Sequence, residues 1–77
     1  MQFISLKDIP TGTPAKVIRL QNECEMRRRL MDIGLVEGAS VTPLYGNKGI
    51  RAYLIKGAVV AIRSEDAEGV ECKWRLE

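Results

Sequence analysis

Residues 22–39 read NECEMRRRLMDIGLVEGA, and this stretch predicts a short helix that stops at a glycine and turns quickly into a strand. Asn22 is a typical N-cap residue, and Glu25 stands three positions later, as in a capping box. The apolar residues of this stretch recur at the spacing of one helical face. That face consists of Met26, Leu30 and Ile33.

The end of this helix carries a second set of signals. Gly34 occupies the position where a Schellman motif places a left-handed residue, and Leu35 behind it can contact Leu30. Gly38 follows four residues later and permits the positive φ of a type II turn. A single helix held this tightly between short strands is typical of a small β-rich domain.

The composition is that of one soluble globular domain covering residues 1–77. Apolar residues make up 45% of the chain and charged residues 29%, and the net charge is +2. Neither half is basic enough to predict a footprint for a nucleic-acid backbone. We find no membrane-span pattern and no signal-peptide pattern, and therefore expect a cytoplasmic protein without direct membrane insertion.

The strands follow from β-branched residues and alternation. We predict strands at residues 13–20, 40–45, 50–55, 58–63 and 70–77, after an apolar lead-in at residues 1–9. Pro10-Thr11-Gly12 predicts a type I turn, and Lys56-Gly57 predicts a tight hairpin turn. Pro43 indicates an edge strand or a bulge. Ser64 is expected to cap a one-turn helix before the last strand.

The order of these elements predicts a mainly β fold. We expect a small SH3-like barrel of about five strands, with one short helix after the first strand and a one-turn helix before the last. Closing the sheet into a barrel would remove the exposed edges that a small open sheet has.

Catalysis has little support in this composition. The chain has no histidine, and its two cysteines, Cys24 and Cys72, are too few for a structural zinc site. We therefore predict no enzyme activity, no catalytic residues, no cofactor and no dedicated metal site. Cys72 falls on the buried side of the last strand and is interpreted as an apolar filler. Cys24 lies in the first helical turn, where redox sensing or metal binding stays an open alternative.

The best candidates for contact with a partner lie on and after the helix. Consecutive helical positions are about 100° apart, so Arg27, Arg28 and Arg29 cannot all face one ligand. One or two of these arginines could meet an acidic patch of a protein partner. Met31 falls outside the apolar face, and Leu35-Val36 stands at the corner between helix and strand, where exposed apolar groups would favour docking.

Nucleic-acid binding is an alternative, because small β-barrels often bind nucleic acids through aromatic platforms and a basic groove. Tyr53 beside Arg51, with Lys48 nearby, is the best candidate patch. A weak transition-metal-sensing module that uses Asp and Glu side chains is the other alternative.

Two segments resemble the FeoA family, the small cytosolic companions of the ferrous-iron transporter FeoB. They are RRLMDIGLVEGASV at residues 28–41 and KGAVVAIRSEDAEGVEC at residues 56–72. The positions that carry the resemblance are Arg29-Leu30, Gly34-Leu35, Gly38, Ala61-Ile62-Arg63 and Ala67, with Leu6 and residues 9–12 before them. The loop Gly46-Asn47-Lys48-Gly49 departs from the Gly-Asp-Pro-like loop of many relatives.

The resemblance implies an SH3-like barrel that regulates ferrous iron uptake by contact with the cytosolic domain of FeoB. We expect the protein to be recruited by FeoB to the inner face of the membrane and to bind no nucleic acid. No DNA-binding helices precede the barrel, so we expect no role as a full repressor. The predicted partner-binding residues are Arg27, Arg28, Met31, Leu35 and Val36. The predicted structural turn glycines are Gly34, Gly38 and Gly57.

Overall fold

The computed structural model describes residues 2–74 and shows a mainly β domain. The ends of the predicted lead-in and of the predicted last strand, Met1 and residues 75–77, lie outside the described residues. This described part of the chain contains six strands, one more than the sequence predicts. The elements in chain order are β1 (Gln2–Ser5), a 3-10 helix (Leu6–Asp8), β2 (Ala15–Leu20), α1 (Cys24–Asp32), β3 (Ser40–Gly46), β4 (Ile50–Ile55), β5 (Ala58–Arg63), α2 (Ser64–Ala67) and β6 (Val70–Trp74).

The strands form one antiparallel sheet in the order β1-β6-β2-β3-β4-β5. Among the described residues no ladder joins β1 to β5, and the two ends of the sheet are linked through the helical segments instead. Ser5 Oγ donates to the carbonyl of Glu68, at 3.0 Å, just after α2. The Arg51 guanidinium on β4 donates to the carbonyl of Leu6, also at 3.0 Å.

The inside of the curled sheet holds one apolar core. Tyr53 is its largest side chain and is 1% exposed, which is possible because its hydroxyl accepts a hydrogen bond from Arg51 Nε at 3.2 Å. Each strand from β2 to β6 contributes to this core, as do the 3-10 helix and α1. Its fully buried members include Leu6, Ile9, Val17, Leu35, Val41, Ile55, Val70 and Cys72.

The beginning of α1 differs from the prediction. Glu23 occupies the N-cap position and makes no side-chain capping bond, so the predicted capping box of Asn22 and Glu25 is wrong. Asn22 Nδ2 donates instead to the carbonyl of Asp66, at 2.9 Å. The last carbonyls of a helix have no partner within the helix, so the carbonyl of Asp66 in α2 can accept this bond. The side chain of Asn22 therefore bonds to α2, although the local sequence predicts that it caps α1.

The end of α1 has the predicted Schellman hydrogen bonds. The N–H of Gly34 donates to the carbonyl of Met31, and the N–H of Leu35 donates to the carbonyl of Leu30, each at 3.0 Å. Gly34 has a φ of +111°, and a Cβ added there would lie 2.9 Å from Cγ2 of Ile55. Both the backbone conformation and the close approach of β4 therefore require glycine at this position.

The segment that follows is bonded to β2. A turn with the predicted type II signature spans residues 36–39, with an Ala39 N–H to Val36 carbonyl distance of 2.9 Å and a φ of +87° at Gly38. Gly38 donates to the carbonyl of Val17, at 2.7 Å, and Val17 donates to the carbonyl of Ala39, at 2.9 Å. We call residues 34–39 the helix–strand corner.

The hairpin of β4 and β5 has the predicted bounds. Lys56 and Gly57 form its two-residue turn, with φ values of +50° and +83°. Positive φ at both central residues is the requirement of a type I′ turn, whose twist matches that of the flanking strands. The register between the two strands is continuous over six residue pairs.

Two other turn predictions require correction. Thr13 donates to the carbonyl of Pro10, and Gly12 is the third residue of that turn with a φ of +85°, so the turn starts one residue later than predicted and is not type I. Ser64 is the first residue of α2 rather than its cap, and its hydroxyl donates to the carbonyl of Lys48.

The register between β3 and β4 shifts just after Pro43, which confirms the predicted bulge there. The alternative of an edge strand does not apply, because β3 lies between β2 and β4 in the sheet.

The two corner glycines allow a matched test of this local structure. We expect Gly34→Ala to lower the free energy of unfolding by about 2–3 kcal/mol, because it adds a close contact with Ile55 to an unfavourable φ. Gly38→Ala has open space around the added methyl group and should cost only about 1 kcal/mol. Urea unfolding monitored by Trp74 fluorescence measures both values. Equal losses in the two variants would contradict a packing role for Gly34.

Candidate functional site

Helix α1 has a groove on each side. The first, which we call the helix–β2 groove, has a volume of about 210 Å³. Its walls are Arg27 and Met31 of α1, Ile18 and Leu20 of β2, and Val36 and Glu37 of the helix–strand corner. The hydrogen bonds of Val17 with Gly38 and Ala39 hold the helix–strand corner against β2. As a result, β2 forms one wall of this groove.

The helix–β2 groove contains three of the five predicted partner-binding residues. Met31 is 46% exposed, and it borders the groove together with Arg27 and Val36. Arg28 is also exposed but borders neither groove of the helix. Leu35 is fully buried, so its inclusion among the predicted surface residues is corrected. The Schellman motif explains this burial, because it turns the residue after the glycine back toward the helix.

The charges around this groove are not equally available. Arg19, which also borders it, is paired with Glu71 at 2.5 Å. Arg27 makes no ion pair within residues 2–74, and its guanidinium lies 3.6 Å from Cys24 Sγ. Arg27 is therefore a cation that an acidic group could approach without first displacing a carboxylate.

The second groove, which we call the helix–β5 groove, has a volume of about 240 Å³. It lies between the opposite side of α1, with Met26, Arg29 and Ile33, and residues 60–63 of β5. Arg27 and Arg29 thus border different grooves, as the angle between helical positions predicts. The predicted apolar face of α1 is only partly buried, because Leu30 is 4% exposed whereas Ile33 is 37% exposed.

Sequence reasoning did not find the β2 wall of the first groove. Its side chains, Ile18 and Leu20, are only half-buried although they are apolar. A signal was present, because residues 17 and 18 are both apolar and so occupy both faces of one strand. An apolar residue on the outward face of a strand indicates either a second covering element or an exposed patch.

The candidate nucleic-acid patch is not assembled. Tyr53 lies in the core and offers no ring for base stacking. Arg51 lies over the Tyr53 ring, with its guanidinium carbon 5.1 Å from the ring centroid, and it also donates to the carbonyls of Leu6 and Lys7. The prediction that Tyr53, Arg51 and Lys48 could form such a surface is corrected, since the first two serve the fold.

The two thiols have different environments. Cys72 is fully buried, and burial raises its pKa from 9.0 to about 12, with a smaller contribution from the Glu71 carboxylate. Cys24 is exposed. Within the described residues no three Cys, Asp or Glu side chains are grouped so that they could hold a metal ion. No helix within residues 2–74 has the length and apolarity of a membrane span.

Comparisons with known proteins include a family model and several solved structures of one family. The family model described as the FeoA domain matches residues 4–73. A FeoA protein from Chlorobium tepidum is 31% identical with a TM-score of 0.82, and the match covers 92% of this chain and 70% of that one. A FeoA-like protein from Clostridium acetobutylicum is 24% identical with a TM-score of 0.87, covering 100% of this chain and 92% of that one.

A third structure supplies the fold description. It is FeoA of Stenotrophomonas maltophilia complexed with zinc, described as a prokaryotic SH3 domain protein. The identity is 22% and the TM-score 0.82, with coverage of 91% of this chain and 89% of that one. This likeness confirms the predicted SH3-like fold. No curated protein matches the chain by sequence.

The buried thiol generates a prediction about pH. The unfolded chain loses the Cys72 proton near pH 9.0, whereas the folded protein keeps it until about pH 12. Between these values the unfolded state binds fewer protons, so the free energy of unfolding falls as pH rises. We expect Cys72 to contribute a loss of about 1.4 kcal/mol between about pH 8 and about pH 10.

Urea unfolding of the wild type and of Cys72→Ala at both pH values measures this contribution. Other groups titrate equally in the two proteins, so the variant should lose about 1.4 kcal/mol less than the wild type. Parallel losses in both proteins would show that the thiol does not resist ionisation.

Proposed function

The chain belongs to the FeoA family, and from this premise we propose that it is a non-enzymatic accessory protein of bacterial ferrous iron uptake. It acts in the cytosol by contact with the cytosolic part of the transporter FeoB. The FeoA of Stenotrophomonas maltophilia has been suggested to be a ferrous iron transport activating factor, which supports a regulatory role for this chain.

The observation that carries the proposal is the composition of the helix–β2 groove. Met31 is 46% exposed at its rim, and half-buried apolar side chains form its walls. A flexible, exposed methionine beside an arginine that forms no ion pair within residues 2–74 is a favourable centre for a protein interface, because it combines apolar contact with a charge that orients the partner. We assign the partner contact to Arg27, Met31 and Val36, with Arg28 at the edge.

The chemistry of this groove specifies what FeoB should present. An apolar side chain of FeoB would enter between α1 and β2, and an adjacent carboxylate would pair with Arg27. Binding alone would not regulate transport, because a ligand shifts a conformational equilibrium only when its affinity for the two states differs. The protein must therefore bind one state of the FeoB cytosolic domain more tightly than the other.

Charge reversal and apolar loss in this groove should weaken the complex. We expect Arg27→Glu and Met31→Glu each to raise the dissociation constant for the isolated FeoB cytosolic domain by at least about tenfold, since central interface residues are worth more than 1 kcal/mol. Arg28→Glu, at the edge, should have a smaller effect. Isothermal titration calorimetry at fixed ionic strength measures all three variants.

Arg29→Glu is the matched control, because it makes the same change on the same helix but borders the other groove. It should leave the affinity within about twofold of the wild type. Near-identical circular dichroism spectra would show that all the variants are folded. Equal weakening by Arg27→Glu and Arg29→Glu, or no weakening by either, would contradict the assignment to the helix–β2 groove.

A further inference from the structure

The strand β5 is an edge of the sheet without the usual protective features. Within residues 2–74 it pairs only with β4, and the register is continuous over six residue pairs with no bulge. Proteins normally protect such edges with lysine, proline or a bulge. The sequence of β5 is AVVAIR, which has no proline and only one charged residue, at its end.

The turn determines which backbone groups of β5 point away from β4. In a two-residue hairpin the residues next to the turn, Ile55 and Ala58, exchange hydrogen bonds, and the pattern then alternates. Val59 and Ala61 consequently direct their N–H and C=O groups outward. Val59 is 56% exposed and Ala61 is exposed as well, so α1 runs beside the strand without covering them.

We propose that β5 pairs with β5 of a second copy of this chain, antiparallel about a two-fold axis. Arg63 is the N-cap residue of α2, so its carbonyl serves that helix. Val59 and Ala61 therefore carry the outward N–H and C=O groups that remain for pairing. All of these groups form hydrogen bonds when Val59 lies opposite Ala61 of the second copy, because the two residues of each such pair exchange both of their backbone hydrogen bonds. This register places Val60 opposite Val60 of the second copy, on the axis.

The charges along the strand favour a second copy as the occupant. A two-fold interface must be self-complementary, because the same surface faces itself. In this register every paired residue of the strand centre is uncharged, with Ala58 opposite Ile62 of the second copy. At each end this register places the turn residue Lys56 opposite Ser64 of the second copy and next to its Glu65, whose side chain is 73% exposed and whose carboxylate lies 3.8 Å from Arg63 of its own chain. Arg63 is already paired with Asp66 of its own chain, at 3.2 Å.

The outer face of the sheet would become continuous across the axis. Leu54 of β4 pairs with Val59 of β5, and these two residues form one row across the sheet. Tyr45 of β3 pairs with Ala52 of β4, which pairs with Ala61 of β5, and these three residues form a second row. Pairing places each Val59 beside Ala61 of the second copy, which joins the two rows into one apolar strip. Tyr45 and Leu54, now 66% and 39% exposed, would lie along this strip.

The proposal uses the opposite side of α1 from the FeoB contact and does not depend on it. Sedimentation equilibrium over a range of concentrations should show the mass rising from 8.6 kDa toward twice that value. Hydrogen exchange provides the site-specific readout. The amides of Val59 and Ala61 should exchange at least about tenfold more slowly at concentrations where the dimer forms than where the monomer prevails, because pairing protects them.

Substitutions at the paired positions test the register. In Val59→Lys/Ala61→Lys, lysines lie opposite each other across the axis, and the dimer should weaken by at least about tenfold. In Val59→Lys/Ala61→Glu, opposite charges face each other, and most of the affinity should return. Phe3→Lys/Gln21→Lys adds the same charge at exposed residues away from β5 and should dimerise like the wild type.

Three results would overturn the proposal. The wild type could be monomeric at every concentration, which would also leave β5 open to strands of other proteins. It could form a dimer without protection of the Val59 and Ala61 amides. The two β5 variants could behave alike, which would exclude the proposed register. Circular dichroism of the dilute variants shows whether each monomer is folded.

Discussion

The helix–strand corner is the constraint on which the arrangement of this domain depends. Leu35 is fully buried, and Gly34 lies so close to Ile55 that a side chain there would clash. On the other side, the backbone of Val17 is hydrogen-bonded to Gly38 and Ala39. The corner therefore ties α1 to β4 and to β2 at the same time, and the two grooves are the spaces that this attachment leaves open.

This attachment matters because α1 has little stability of its own. A nine-residue helix is too short to be stable alone in water, and most of its stability must come from tertiary contacts. Within α1 itself, Leu30 is the one residue that is buried. Burial of Leu35 contributes about 1.5–3 kcal/mol to the free energy of unfolding. The Schellman hydrogen bonds connect Leu35 to the end of α1, so this burial also holds the helix in place. The helix can thus keep Arg27 and Met31 exposed.

The sequence predicted best where structure is local. The turn at Lys56-Gly57 dictates the bounds and register of its hairpin, and the residues at the end of α1 carry a complete Schellman signature. Two of the errors share one cause, which is a partner distant in sequence. Asn22 bonds to Asp66 rather than to its own helix. The strand β1 was missed because its existence depends on β6, and no hairpin joins the two.

The same distinction applies to the candidate site. Helical geometry predicted that the three arginines diverge, and it placed Met31 off the apolar face. It could not show which strand faces each arginine, because that depends on how the corner packs between β2 and β4. Burial of Leu35 and Tyr53 was likewise a tertiary outcome, since apolar and aromatic residues look the same in sequence whether they dock or fill a core.

The two proposed surfaces have a geometric consequence when they are considered together. They lie on opposite sides of α1, so pairing through β5 would leave both helix–β2 grooves accessible. A two-fold pair would then present two equivalent grooves to its partner. If two FeoB cytosolic domains lie within reach, the second contact becomes intramolecular, and the overall affinity exceeds that of either groove without any new contact. A modest groove of about 210 Å³ could in this way support a firm association.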